Sequence, residues 1–299
     1  MAETAPITKL DLKKIALKIK EDFFKPVNTY KTTVFVCGGD INKSDTTRAK
    51  VALFLSDLVG KVYYDLIYPE AIFDELLYSY QGKDLLSLEN MLANSVDVIL
   101  IIPESPGSLA ELGAFANTKE LLNKIICLVD FKYRKQRSFI VKGPIKLIRQ
   151  ANKHAVIYID PLNIRKDMQK IKNSIKRIKN NSSKDKEKIG LLQLDNFLLP
   201  IIYLLEPVPK EMLIECVAAS DENETNYIQA TTVALTTLIK NKLIELTANG
   251  YKLTTLGVKN FLDLRKTRNK IKSQAETLAL DNMRLEILNL KYRKKKLKI

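Results

Sequence analysis

The segment Pro103-Glu104-Ser105-Pro106-Gly107-Ser108-Leu109-Ala110-Glu111-Leu112-Gly113-Ala114-Phe115 holds the residue types that chemistry requires. It follows an apolar run, Val96–Ile102, and reads as a strand end, a tight turn and a helix N-terminus. Gly107 lets backbone approach a ligand, and the N–H groups at a helix start favour phosphate or developing negative charge. Glu111 falls about one turn inside the helix, and Gly113 removes bulk beside it. A carboxylate there can act as a nucleophile or stabilise a cation. Ser108-x-x-Glu111 also fits a capping box, in which the glutamate only closes a backbone donor, and the two residues alone leave both readings open. Glu104, Ser108 and Glu111 nevertheless cluster at one sheet edge. Other strand ends supply Gly38-Gly39-Asp40 and Tyr68-Pro69-Glu70. Gly38-Gly39 either packs against a sugar or phosphate or makes an ordinary strand-to-helix turn.

Composition narrows the chemistry. His154 is the single histidine, so histidine triads and histidine-rich metal centres are excluded, and acid–base work falls to carboxylates, Lys, Tyr or Ser. Cys37, Cys127 and Cys216 are far apart with no Cys-x-x-Cys, which argues against a disulfide framework or a zinc site and fits a reducing compartment. No metal site is expected. No apolar stretch approaches the roughly 20 residues of a membrane span, and the opening Met-Ala-Glu lacks a signal pattern, so a cytoplasmic location is expected. The net charge of +15 is uneven. Residues 31–150 carry net +1, 151–188 net +7, 189–258 net −4 and 259–299 net +9. Basic flanks of this kind suggest a nucleic-acid partner, or else a solvated face.

The elements that must position these residues follow from periodicity. Leu12, Ile15, Ala16, Ile19 and Phe23 share a helical face and predict an amphipathic lead-in helix over 1–30. Residues 31–160 then alternate strand and helix. Strands are expected at Thr32–Cys37, Lys61–Ile67, Val96–Ile102, Lys124–Val129 and Ala155–Ile159, with helices over 70–79 and 84–95 among those between. This order predicts an α/β fold, a Rossmann-like parallel sheet with helices on both faces and its ligand site beyond the carboxyl ends of the strands. A basic helical connector is expected over 161–188. Three helices and a hairpin turning at Asn249-Gly250 give winged-helix order over 189–265. The third helix, with Tyr227, Gln229, Thr231, Thr232, Thr236 and Thr237, has few cations, so DNA reading and protein docking both stay open. A basic helical tail over 266–299 carries Leu280, Met283, Ile287 and Leu290 as a short seam for a partner or the body. It ends in Lys291, Arg293, Lys294, Lys295 and Lys296, candidate nucleic-acid or partner contacts.

The string Pro-Glu-Ser-Pro-Gly-Ser-x-x-Glu-Leu-Gly-Ala-Phe, with Leu-Leu-Ser-Leu-Glu-Asn at 85–90 and Cys-Gly-Gly-Asp at 37–40, resembles the ribosyltransferase/DNA-binding effectors of type II retrons. The likeness takes in Lys124-Ile-Ile-Cys-Leu, Arg137-Ser-Phe-Ile, Phe197-Leu-Leu-Pro-Ile-Ile-Tyr-Leu-Leu and Asn249-Gly-Tyr-Lys-Leu-Thr-Thr-Leu-Gly, and so spans roughly residues 30–290. More distantly, the first domain is similar to nucleoside 2-deoxyribosyltransferases. That resemblance implies Glu111 as the nucleophile, and Glu89 or Asn90 near the sugar- and base-handling acid. Gly38, Gly39, Asp40, Tyr68, Glu89, Glu104, Gly107 and Ser108 are then the expected substrate contacts. The retron resemblance implies a reverse transcriptase, a non-coding RNA with its RNA-linked single-stranded DNA, and a higher-order assembly. It also implies an effector that depletes a nucleotide, with NAD as substrate and no separate cofactor. A nucleoside deoxyribosyltransferase is a second reading, and a non-catalytic DNA-binding regulator a third.

Overall fold

The computed structural model describes residues 8–57, 60–71, 92–93, 95–181, 189–220, 227–269 and 273–293. The chain forms two compact units, Lys31–Lys186 and a second made of Met1–Tyr30 with Glu187–Ile299. Within the described residues, no helix is long and apolar enough to cross a membrane.

The N-terminal helix runs as α1 (Lys9–Ile19), a wider-wound stretch at Lys20–Phe24, and α2 (Lys25–Tyr30). Thr8 and Asp11 cap it reciprocally. The chain is helical through Pro26. Proline lacks the N–H that residue 22 would accept, and just before it the Lys25 N–H reaches back five residues to the Lys20 carbonyl.

The α/β unit holds a parallel sheet of β1 (Thr32–Cys37), β2 (Tyr64–Ile67), β3 (Val98–Ile101), β4 (Ile125–Asp130) and β5 (Val156–Ile159), in the order β2-β1-β3-β4-β5. Only part of the second expected strand is extended. Asp57 Oδ1 accepts the Gly60 N–H at 2.6 Å, and Gly60–Tyr63 forms a helical turn before β2. The expected helices over 70–79 and 84–95 fall largely outside the described residues. β1, β3 and β4 are almost wholly buried, as their unbroken apolar runs require, because a parallel sheet is covered on both faces. On one face Val34, Val36, Val98, Leu100, Ile126 and Leu128 pack with α3 (Thr47–Leu55). On the other lie α4 (Pro106–Ala116), whose Phe115 ring meets Phe35 at 6.3 Å, and α5 (Pro144–Ala151), which presents Ile145 and Ile148.

The described part of the stretch expected as a connector, 161–181, belongs to the α/β unit. It contains α6 (Met168–Asn181), whose Ile171, Ile175 and Ile178 enter the core beside Val51 and Leu55. Three fully buried isoleucines are worth about 1.5–3 kcal/mol each, so this helix is integral to the α/β unit. Lys179 on its inner side pairs with Asp97 at 3.6 Å.

In the second unit come α7 (Leu194–Leu205), α8 (Lys210–Ser220) and α9 (Tyr227–Lys240), then an antiparallel pair, β6 (Ile244–Thr247) and β7 (Gly250–Leu253), and α10 (Thr255–Asn269). Gly250 has φ +125°, and a Cβ there would approach the Val208 backbone to 2.5 Å, so both conformation and packing require glycine. Leu12, Ile15, Ala16, Ile19 and Phe23 pack in the core of this unit with α7. In the last helix, α11 (Ser273–Arg293), Leu280, Met283 and Ile287 are buried in the same core. The seam therefore serves the body of the protein.

Candidate active site

The sheet order reverses between β1 and β3, so the loops leaving these strands part to opposite faces and open a crevice at their carboxyl ends. Cys37 and Ile101 are register partners, which brings Gly38 and Ile102 out of the sheet side by side. The loops are tied across this point. Glu104 Oε1 accepts the N–H groups of Gly39 at 3.1 Å and Arg48 at 2.9 Å, and its Oε2 accepts Thr47 N–H at 2.8 Å. Ser105 Oγ donates to the Gly38 carbonyl at 3.1 Å. Both Glu104 oxygens thus act as acceptors that hold the β1 loop and the start of α3. This is a structural task at a residue expected to contact substrate.

The first turn of α4 revises the capping expectation. Ser105 is the N-cap, and it forms the reciprocal box with Ser108. Ser108 is 1% exposed, and its hydroxyl accepts from Glu104 N–H and Ser105 N–H and donates to the Ser105 carbonyl. That hydroxyl shapes the turn and is not presented to a substrate. Glu111 lies a turn beyond the box and is not its acidic member. Its residue is half-buried, and Oε2 is shielded from solvent. A Cβ on Gly107 or Gly113 would meet none of the described residues within 4 Å, so packing against those residues does not explain either glycine.

Beneath the crevice lies Arg48, 1% exposed. Its guanidinium donates to Glu70 through Nη1 at 2.6 Å and Nη2 at 2.8 Å, and Nη1 also donates to the Gly39 carbonyl at 3.0 Å. The charge sits 5.5 Å from the centre of the Tyr68 ring. Burial works against that charge, but the hydrogen bond and charge of Glu70, with Cys37 and Glu111 adding less, outweigh it and raise the Arg48 pKa. Glu111 is therefore within electrostatic reach of a permanent cation. Gly38 serves this side chain, since a Cβ there would come within 2.9 Å of Arg48 Cβ. Gly39 is confined by Thr46 and Glu104 at 3.1 and 3.2 Å. Both glycines thus make room for protein groups, where a sugar or phosphate was one expectation. Asp40 is exposed at the mouth, and its Oδ1 accepts the Asn42 N–H.

The sequence profile of the STM3845 retron effector protein family matches residues 45–246. The chain belongs to this retron effector family. It is also 34% identical over 291 residues to a protein of retron Ec86 from Escherichia coli, provisionally named a ribosyltransferase/DNA-binding protein, covering 92% of this chain and 90% of that one. A counterpart from retron Ec73 of the same organism, with the same provisional name, is 31% identical over 141 residues, 46% of this chain and 44% of that protein.

Other nucleophiles of this retron effector are set aside by burial and position. All three cysteines are buried, and burial pushes the thiols of Cys127 and Cys216 up to about 12. His154 precedes β5, at the amino ends of the strands and so opposite the crevice. Glu89, Asn90, Lys294, Lys295 and Lys296 lie outside the described residues; Lys291 and Arg293 fall in the last turn of α11. Arg48 escaped the reading of the sequence. Its one signal was a cation, with Lys50 two residues on, in the helix that follows a Gly-Gly turn, and nothing in the pattern distinguished it from a surface arginine.

Arg48 also gives a stability prediction. The Glu70 carboxyl is raised by burial, but the hydrogen bond and charge of Arg48 prevail and hold it below the ordinary value of 4.5. A carboxylate with a depressed folded pKa stabilises above its unfolded pKa and loses that contribution as pH falls through the folded one. Glu70→Gln is therefore expected to be less stable than wild type at neutral pH, with the gap closing below about pH 4.5. Arg48→Met strips a donor from both Gly39 and Glu70 and is expected to cost about 1–3 kcal/mol. Urea denaturation at several pH values checks both.

Proposed function

We propose that this retron effector cleaves an N-glycosidic bond with Glu111 as its central carboxylate, and that its substrate is NAD. One observation carries the reading. The helix is already capped by Ser105 and Ser108, so the cap does not account for Glu111, whose Oε2 is shielded from solvent and whose charge is felt by the buried Arg48, at the switch point of the sheet. Breaking the bond from ribose C1′ to the pyridinium nitrogen sends the electron pair to nitrogen and leaves an oxocarbenium-like sugar. The Glu111 carboxylate adds to C1′ or stabilises its charge. Water then completes hydrolysis, giving ADP-ribose, nicotinamide and a proton. Incubating the protein with NAD and resolving the products by chromatography tests this. Release of nicotinamide is expected, and intact NAD beside cleaved nucleosides would move the substrate assignment.

In the same reading the activity is a toxin of an antiphage system, held inactive by the reverse transcriptase and its RNA-linked DNA, in a bacterial cytoplasm. Partnership with nucleic acid follows from the basic flanks and from the DNA-binding half of the relatives' name. Base reading by α9, the third helix of a winged-helix domain, is disfavoured. Thr231, Thr232 and Thr236 donate their hydroxyls to carbonyls four residues back, at 2.6, 2.8 and 3.0 Å. Contact through phosphates is the form of partnership proposed, with Lys291, Arg293, Lys294, Lys295 and Lys296 contributing.

A further inference from the structure

β5 is an edge strand of the parallel sheet, and α6 runs beside it. Between them lies an open cleft of about 360 Å³. Lys170, Asn173, Ser174 and Arg177 line one wall. Their spacing puts them on one stripe of α6, and Lys170 and Arg177 stand about 10 Å apart along its axis. Lys153 and His154 close the end at the start of β5. Ser174 Oγ donates to the His154 carbonyl at 3.2 Å and fixes helix against strand, so the cations are carried on rigid elements. None of the lining residues is acidic, and Lys153, Lys170 and Arg177 are all exposed. Lys153 and Arg177 form no ion pair with a described residue, while Lys170 pairs with Asp167 at 2.9 Å. At the same edge, Arg149 donates to the Tyr158 hydroxyl at 2.8 Å, and its guanidinium lies 5.9 Å from that ring.

A hydrophobic peptide would find little here, since the edge presents cations and amides. A carboxylate cofactor would need one or two of the cations. The spread of separate positive charges along an open trough, with an aromatic ring among them, suits a repeating anion whose bases stack. We propose that this cleft binds the phosphodiester backbone of single-stranded nucleic acid through Lys153, Lys170 and Arg177. The site lies away from the crevice at the carboxyl ends of β1 and β3. It rests on the nucleic-acid partnership proposed above and is independent of the glycosidic chemistry.

The test is fluorescence anisotropy of the full chain with labelled oligodeoxythymidylate and oligouridylate over a range of salt concentrations. In the variant Lys153→Gln/Lys170→Gln/Arg177→Gln, affinity for both polymers is expected to fall by about tenfold or more at low salt. The slope of log affinity against log salt should become shallower by about 2, from three charges at about 0.7 each. The charge-conserving Lys153→Arg/Lys170→Arg/Arg177→Lys variant should keep both. All three side chains are exposed, so thermal midpoints should match wild type. An unchanged slope in the glutamine variant overturns the proposal, as does a loss confined to oligouridylate, which would make the 2′-hydroxyl the recognised group. Deleting Lys291–Ile299 separates the two readings. If that deletion abolishes binding while the glutamine variant binds normally, the partnership stands and the cleft falls. A wild-type chain that binds neither polymer removes both.

Discussion

Glu111→Gln is expected to lower glycosidic cleavage by roughly 10³-fold or more, the scale seen when a nucleophile is removed, with folding stability unchanged within about 1 kcal/mol. The two effects separate because the structural task once open to Glu111 belongs elsewhere. The capping box of α4 is closed by Ser105 and Ser108. Glutamine keeps the size and hydrogen-bonding capacity of the side chain but can neither add to C1′ nor offset a positive charge. Even Glu111→Ala should leave the helix start intact, whereas Ser105→Ala should cost about 1 kcal/mol through loss of the cap. Chemical denaturation and nicotinamide release, measured on the same preparations, decide the matter. If activity falls only in step with unfolding across Gln and Ala, Glu111 is a structural residue. A Gln variant that is folded and fully active removes it from the chemistry altogether.

The α/β architecture was legible because a parallel sheet writes itself as unbroken apolar runs, and β1, β3 and β4 are such runs. The order of the strands was not legible, since β1 and β3 become neighbours through contacts between distant segments. The cap shows a finer limit. Ser105-x-x-Ser108 and Ser108-x-x-Glu111 overlap by one serine, and only the entry angle of the chain, set by the Ser105 hydroxyl reaching the Gly38 carbonyl, selects the first. Glu104 looked like a site residue because it sits at a strand end. Three converging backbone N–H groups, all distant in sequence, make it a brace instead. Net charge misled at 161–188. Summed over the segment it suggested a solvated connector, but along α6 the isoleucines recur on one side and most cations on the other. A window sum discards that periodicity. Arg48 was hidden for the opposite reason, because its importance lies in burial, and the sequence does not separate it from Lys50 two residues on in the same short helix.

The charge of the leaving group is expected to decide substrate choice, and the groups described around the crevice give the reason. Release of a neutral base from C1′ needs a proton donor, and donors of this kind are worth about 10²–10⁴ in rate. Glu104 has both oxygens engaged by N–H groups. Glu70 is kept ionised by Arg48. The Tyr68 phenol is pushed up by burial, which the Arg48 charge only partly offsets, and so holds its proton at neutral pH. His154 is at the other end of the strands. Asp40 is exposed at the mouth, where its Oδ1 holds only the Asn42 N–H of its own turn, and Glu89 lies beyond the described residues. A site furnished in this way suits a base that departs without protonation. The nicotinamide of NAD is cationic and leaves neutral, whereas that of NADH is uncharged and would leave as an anion. NAD is therefore expected to be hydrolysed at least about 100-fold faster than NADH, with little cleavage of thymidine or deoxyadenosine. Chromatographic comparison at equal substrate concentrations reads this directly, on protein freed from any inhibitory partner. Faster turnover of the deoxynucleosides, or exchange of their bases, would mean that Glu89 or Asp40 delivers a proton. The deoxyribosyltransferase reading would then displace NAD hydrolysis while leaving Glu111 at the centre of the reaction.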